Sequence, residues 1–155
     1  MAFSGVRTKV HVVLLVEDNA DFRDLYGNAM REAGLLVDEV VTVTEAIELA
    51  ERLRPDIVVL DRHLPDGDGW DVARALKASA SEAMRRAPII AFTSHKQRAD
   101  VESALVAGCD AFVEKGCSPD SLVRHVRGML GLPLEAGEDV FPTHAARGAR
   151  GSLLS

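Results

Sequence analysis

The stretch Asp56-Ile57-Val58-Val59-Leu60-Asp61 decides the fold of this chain. Its four central residues are all apolar, which predicts a short buried strand. Strands that are apolar throughout are buried on both faces, as in a parallel sheet that helices cover on both sides. The stretch therefore predicts a central strand, with the carboxylate of Asp61 at its carboxyl end.

Two further strands are predicted before this stretch and two after it, with helical patterns between them. Glycine, proline and capping residues mark the ends of the helices, such as Thr42 before the second helix and Ser118 before the fifth. Strands that alternate with helices through short connections predict an α/β, doubly wound (βα)5 fold with right-handed crossovers. In its flavodoxin-like form, the five parallel strands lie in the order 2-1-3-4-5. The predicted strands are residues 10–16, 35–41, 56–61, 88–92 and 109–113.

Each predicted helix carries an apolar stripe at three- and four-residue spacing. The third helix is expected to begin near Asp68 and to turn Trp70 inward. The polar, alanine-rich segment 78–87 is either an extension of that helix or a surface loop. The residues predicted to face the core from the first helix are Phe22, Leu25, Ala29 and Ala33.

The composition is that of a globular protein with an acidic surface. The chain has 155 residues, 47% of them hydrophobic, and a formal net charge of −6. It lacks both a clustered basic surface and an apolar run of roughly 20 residues, so we expect neither direct DNA binding nor membrane contact. Cys109 and Cys117 form no C-x-x-C motif, so a cytoplasmic, reduced protein is expected. We predict an N-terminal extension over residues 1–8, one domain over 9–130 and a flexible tail over 131–155.

Polar and charged side chains accumulate where the predicted strands end. Ligands of doubly wound sheets bind beyond the carboxyl ends of the strands, so these side chains are expected to meet at one rim. Three carboxylates repel one another unless a cation binds, and an oxygen-only ligand set suits Mg²⁺. A carboxylate can also act as a nucleophile and form an aspartyl phosphate. The side chains are Glu17 and Asp18 after strand one, Asp61 after strand three, Thr93 and Ser94 after strand four, and Lys115 after strand five.

Four motifs at these strand ends resemble those of the response-regulator receiver family, over roughly residues 9–130. Each motif alone is weak, but four motifs in order, each at a strand end, are specific. The motifs are Val16-Glu17-Asp18-Asn19, Leu60-Asp61-Arg62-His63-Leu64-Pro65-Asp66-Gly67-Asp68-Gly69, Phe92-Thr93-Ser94 and Phe112-Val113-Glu114-Lys115.

The resemblance implies a phosphoacceptor site with a magnesium cofactor. Asp61 would accept the phosphoryl group, and Lys115 would pair with it. Asp18 would bind Mg²⁺ directly and Glu17 through water, while Asp61 and the backbone carbonyl of His63 would complete the protein ligands.

The resemblance also implies a switch between two packings of the face formed by the fourth helix, the fifth strand and the fifth helix. Thr93 would be the switch hydroxyl that the phosphoryl group draws inward, and Phe112 would fill the space left behind. His63 and His95 lie two residues after Asp61 and Thr93, and we expect both to tune the lifetime of the phosphoryl group.

The implied function is that of a single-domain response regulator of a two-component system or phosphorelay, a signalling protein and not an enzyme. Its phosphoryl donor would be a sensor histidine kinase or a phosphotransfer protein, and its output a downstream protein target. It would act as a monomer or as a phosphorylation-dependent dimer.

One position departs from the family pattern. The family usually has Lys-Pro with a cis peptide bond, whereas Gly116 follows Lys115 here. A non-proline cis bond costs roughly 3 kcal/mol, so we expect a trans bond, and the wide conformational range of glycine can still place Lys115 correctly.

Two alternative functions stay open at this point. A receiver fold used as a phosphorylation-independent scaffold would typically lose the acidic pair, the acceptor or the lysine, all of which this chain keeps. A phosphatase of the haloacid-dehalogenase type would place an acidic residue two positions after its nucleophile, where this chain has His63.

Overall fold

A five-stranded parallel sheet forms the centre of the protein. The computed structural model describes residues 9–94 and 97–133. The strands lie in the order β2-β1-β3-β4-β5, and each neighbouring pair is parallel, which confirms the predicted doubly wound α/β fold. The strands are β1 Val12–Val16, β2 Leu36–Val40, β3 Ile57–Leu60, β4 Ile89–Thr93 and β5 Ala111–Glu114.

Five numbered helices follow the five strands of the sheet. None of the helices in the described part of the chain has the length and apolar character needed to cross a membrane. Two smaller elements carry no number: a hairpin of His63–Leu64 with Gly67–Asp68 after β3, and a helix Glu82–Arg86 before β4. The numbered helices are α1 Ala20–Glu32, α2 Val43–Leu53, α3 Trp70–Lys77, α4 Arg98–Ala107 and α5 Pro119–Met129.

The capping residues start the helices where the sequence indicates. The side chain of Thr42 accepts a hydrogen bond from the backbone N–H of Glu45 at the start of α2. Ser118 caps α5 in the same way, with a proline at the first helical position. The segment 78–87 is neither an extension of α3 nor a plain loop, because Ser81 caps a separate five-residue helix there and Met84 of that helix is buried.

Two hydrophobic cores lie on opposite faces of the sheet. Along β3, Ile57 and Val59 face the core under α1 and α5, whereas Val58 and Leu60 face the core under α2, α3 and α4. Successive side chains of a strand point to opposite faces, so a strand that contacts both cores must be apolar at every position. This requirement explains the uninterrupted apolar run from which the fold was predicted.

The predicted inward face of α1 is wrong at Leu25, whose side chain is 50% exposed. The buried residues of α1 are Tyr26, Gly27 and Met30. Tyr26 and Met30 lie four residues apart on one face, together with the partly buried Phe22. One residue rotates the helix by about 100°, so burial of the larger Tyr26 turns Leu25 towards solvent.

Candidate functional site

Backbone hydrogen bonds extend beyond the strands and carry three polar residues to one rim of the sheet. The N–H of Asp61 donates to the carbonyl of Val16 at 3.0 Å, and the N–H of Lys115 donates to the carbonyl of Thr93 at 2.9 Å. The N–H of Glu17 donates in the same way to the last residue of β2, at 3.0 Å. The parallel register therefore brings together residues that are up to 98 positions apart in sequence.

Three polar side chains at this rim are buried. Among the described residues, the buried polar or charged side chains are Glu17, Asp61 and Thr93, with exposed fractions of 1%, 5% and 1%. Each of the three follows or ends a different strand. Burial of a polar or charged group is costly unless a partner compensates it, so two carboxylates and a hydroxyl in one region require an explanation.

Lys115 supplies the compensating charge for both buried carboxylates. Its Nζ lies 2.7 Å from Oε1 of Glu17 and 2.9 Å from Oδ2 of Asp61, and its side chain is 8% exposed. The second oxygen of each carboxylate accepts a backbone N–H: that of Asn19 for Glu17 at 3.1 Å, and that of Arg62 for Asp61 at 2.8 Å. Both carboxylates are thus held in fixed orientations.

The pKa values of Glu17 and Lys115 move in the directions that burial and contact predict. Burial raises the pKa of Glu17 above its ordinary value, although the hydrogen bonds from Lys115 and Asn19 oppose the rise. Burial by itself would lower the pKa of Lys115, but its bonds to Glu17 and Asp61 outweigh this effect and raise the pKa. Lys115 therefore stays a cation at neutral pH.

The acidic cluster offers the oxygen ligands that a hard divalent cation binds. Glu17, Asp18 and Asp61 each offer a carboxylate oxygen, and these atoms lie within 4.8 Å of one another. Lys115 offsets only one of the three negative charges, and Asp18 is exposed, so the cluster is both acidic and open to solvent. Oxygen-only ligands with an open side fit Mg²⁺, which keeps several of its waters when a protein binds it.

The two residues predicted to act as a switch lie on the same face of the sheet. Ala91 and Phe112 are partners across β4 and β5, and Thr93 ends β4 two residues further on. Ala91 belongs to the core under α4, and Phe112 packs against the same core. Alternation along β4 therefore directs Thr93 to that face as well.

Of the two histidines predicted to tune the phosphoryl lifetime, the structure describes one. His63 opens the hairpin after β3, and its side chain is exposed. His95 lies outside the described residues.

Two residues near Asp61 were not singled out from the sequence. Gly69 approaches the backbone of Asp61 so closely that a Cβ would lie 1.9 Å from the Asp61 carbonyl oxygen. Arg62 forms ion pairs with Asp68 at 3.3 Å and with Asp100 at 3.5 Å, and its guanidinium lies 5.6 Å from the Trp70 ring. Gly69 ends a quoted motif, but nothing in the motif alone reveals this contact.

The bond between Lys115 and Gly116 is trans, as expected, since no cis peptide bond occurs among the described residues. Gly116 adopts a φ of 102°, in the region that favours glycine. Lys115 nevertheless reaches both carboxylates.

The chain matches the response regulator receiver domain family over residues 13–127. It is 29% identical over 119 residues to the polar-differentiation response regulator DivK of Brucella anthropi, which covers 77% of this chain and 95% of that protein.

Solved structures share the fold over most of their length. The receiver domain of the sensor histidine kinase PA1611 from Pseudomonas aeruginosa PAO1 has a TM-score of 0.72 at 32% identity, covering 79% of this chain and 99% of that one. That protein holds a magnesium ion in its active site cleft. The chemotaxis response regulator CheY4 of Vibrio cholerae has a TM-score of 0.72 at 20% identity, covering 77% and 98% of the two chains, a likeness that concerns the fold alone.

Proposed function

This chain belongs to the response-regulator receiver family, and from that membership we propose that Asp61 accepts a phosphoryl group in a Mg²⁺-dependent reaction. Receiver domains are signalling proteins of two-component systems. Phosphorylation of Asp61 then changes which proteins this chain binds. The only chemistry that the chain itself performs is its own phosphorylation and later dephosphorylation.

One observation carries the proposal: Lys115 Nζ lies between Glu17 and Asp61, at 2.7 and 2.9 Å, beside the exposed Asp18. A single ion pair at a strand end would have a purely structural explanation. A cation held by two buried carboxylates, with a third at the open side, is instead suited to an incoming anion that brings or meets a divalent cation.

Each residue of the site has a defined task in the transfer. An oxygen of the Asp61 carboxylate forms a bond to phosphorus, while the bond from phosphorus to the donor's imidazole nitrogen breaks and its electron pair stays on that nitrogen. Lys115 and the hydroxyl of Thr93 then bind oxygens of the transferred group. Mg²⁺ would be held by Asp18, Asp61, the His63 carbonyl and, through water, Glu17, and it would neutralise the remaining phosphoryl oxygens.

The signal leaves through the face formed by α4, β5 and α5. A phosphoryl group on Asp61 favours the inward position of Thr93, and Phe112 on the same face of the sheet fills the space left behind. This mechanism involves no direct binding of DNA by the chain. It receives the phosphoryl group from a sensor histidine kinase or a phosphotransfer protein and passes the signal to a protein target, as a monomer or as a phosphorylation-dependent dimer.

Two finer assignments belong to the same proposal. The imidazoles of His63 and His95 restrict the water that attacks the aspartyl phosphate, so replacing either by alanine changes the dephosphorylation rate. The receiver domain spans residues 9–130; the N-terminal extension over 1–8, and residues 134–155 of the tail over 131–155, lie outside the described residues. Leu132 packs against the core under α1 and α5, so the packed chain reaches slightly past the end of α5.

The experiment that tests the proposal is incubation with acetyl phosphate, with and without Mg²⁺, followed by intact-mass measurement. Wild-type protein gains one phosphoryl group only with Mg²⁺, and Asp61→Asn gains none. The fully buried Trp70 contacts Arg62, whose N–H binds Asp61, so its fluorescence provides a second readout of Mg²⁺ binding that EDTA reverses. Equal phosphorylation of Asp61→Asn and wild type would refute the assignment.

A further inference from the structure

A hydrogen bond from Tyr26 of α1 reaches the backbone of the loop between β5 and α5. The hydroxyl of Tyr26 donates a hydrogen bond to the carbonyl oxygen of Cys117, across 91 positions of sequence. Tyr26 is 1% exposed and belongs to the core under α1 and α5. The bond therefore fixes the loop two residues beyond Lys115 against a buried part of the fold.

This tie matters because the loop has a conformationally free residue next to Lys115. Gly116 has a φ of 102°, and the place where its Cβ would lie has no other atom within 4 Å. Glycine has the largest backbone freedom of any residue, and one local hydrogen bond spans it, from the N–H of Cys117 to the carbonyl of Glu114 at 3.3 Å. A contact from another part of the fold adds to this bond in holding the chain on the far side of Gly116.

Tyr26 also contacts the two aromatic rings that face the Lys115 ammonium. Its ring packs edge-on against Phe92 at 4.8 Å and stacks with Phe22 at 6.0 Å between centroids. The Nζ of Lys115 lies 4.8 Å from the Phe22 ring and 6.0 Å from the Phe92 ring. One side chain thus touches both the rings beside the ammonium and the backbone that follows it.

We propose that Tyr26 is a positioning residue for Lys115: its hydroxyl holds the 115–118 loop so that the ammonium meets the phosphoryl group on Asp61. The inference rests on the proposed function. It predicts that loss of the hydroxyl alone slows phosphoryl transfer, and that the rate changes only when Lys115 is present.

The test is a double-mutant cycle on the rate of phosphorylation by acetyl phosphate and Mg²⁺, followed by intact mass. Tyr26→Phe keeps the ring and removes only the hydroxyl. We expect it to slow the reaction about fivefold, which corresponds to one hydrogen bond of about 1 kcal/mol at 1.4 kcal/mol per factor of ten. In the Lys115→Ala background, the same change is expected to have no further effect. Thermal unfolding of all four proteins checks that each is folded.

The outcomes separate this inference from the proposed function. If Lys115→Ala slows the reaction and Tyr26→Phe does not, Tyr26 has no positioning role, while the proposed function stands. Equal slowing by Tyr26→Phe in both backgrounds overturns the inference too, because the effect then does not pass through Lys115. If Lys115→Ala leaves the rate unchanged, the proposed role of Lys115 fails, and the inference fails with it.

A second measurement needs no Tyr26 variant. The chain contains one tyrosine, so protein labelled with ¹³Cζ-tyrosine gives a single NMR signal that reports on this hydroxyl. Addition of beryllofluoride with Mg²⁺ is expected to shift the signal in wild type and to leave it in place in Lys115→Ala. An unmoved signal in wild type, with beryllofluoride bound, would contradict the proposal.

Discussion

Replacement of Gly69 by alanine is expected to disturb the loop after β3 more than any other change of one methyl group near the site. The added Cβ would lie 1.9 Å from the carbonyl oxygen of Asp61, 2.9 Å from its carbonyl carbon and 3.0 Å from the Cα of Arg62. All three atoms are backbone, so no side-chain rotation can relieve the contact. Gly69 has a φ of −57°, an ordinary value for alanine, so the effect comes from the contact alone.

The size of the loss follows from two contributions. Overpacking of this kind costs about 1–3 kcal/mol. The N–H of Gly69 also donates to the carbonyl of Arg62 at 2.6 Å, and loss of that hydrogen bond adds about 1 kcal/mol. A total of about 2–4 kcal/mol lowers the melting temperature of a chain of this size by roughly 4–16 °C. Because the backbone of Asp61 must move, the rate of phosphorylation by acetyl phosphate falls as well.

The assay is thermal unfolding together with intact-mass phosphorylation kinetics. Gly128→Ala is the matched control, because Gly128 lies exposed within α5, where alanine stabilises a helix by up to about 1 kcal/mol. We expect the control to melt at or slightly above the wild-type temperature and to phosphorylate normally. The reasoning is refuted if Gly69→Ala melts within a degree or two of Gly128→Ala and accepts phosphate at the wild-type rate.

Two further predictions concern stability. Leu25 is 50% exposed, so Leu25→Ala is expected to change the free energy of unfolding, measured in urea, by no more than about 0.5 kcal/mol. Met30 is fully buried, so Met30→Ala is expected to lower that free energy by about 2–5 kcal/mol. Similar losses in the two variants would contradict the face assigned to α1. Burial opposes the lowering of the Asp56 pKa, but bonds from Lys9 and the N–H of Val12 outweigh it and hold that pKa below the ordinary 3.8. The carboxylate therefore stabilises the fold above pH 3.8 and ceases to do so as pH falls through the lowered pKa. The stability gap between wild type and Asp56→Asn in urea is accordingly steady near neutral pH and closes on acidification, and a gap that widens in acid would show the sign to be wrong.

The fold was predictable because its strongest constraint is local in sequence. Strands that contact two cores, such as β3, must be apolar at each position, and this pattern is visible without coordinates. The inward face of α1 was harder to predict from the sequence, because spacing alone permits either Leu25 or Tyr26 to face the core. The ring of Tyr26 packs against Phe92 of β4, and a contact between two distant segments cannot be deduced from the periodicity of one helix.

The same distinction applies to the site. Strand-end positions were predictable, since residues that follow parallel strands emerge at one rim, and Glu17, Asp61 and Lys115 meet there. The contacts of Arg62 and the close approach of Gly69 were not, because they depend on how the hairpin after β3 folds back. The Gly69 contact joins residues of one loop, whereas Arg62 also reaches Asp100 of α4, and the sequence motif specifies neither geometry.

Strand register and charge hold Lys115 from one side of Gly116, and the hydrogen bond of Tyr26 holds the loop on the other side. Its N–H is bonded to β4 and its ammonium to two carboxylates, and neither contact involves the side chain at position 116. The φ of 102° at Gly116 is cheap for glycine and costs other residues about 1–2 kcal/mol. Proline, whose φ lies near −65°, cannot adopt it at all. Glycine at position 116 therefore permits a loop path that proline would exclude, and in it the ammonium of Lys115 lies beside Asp61.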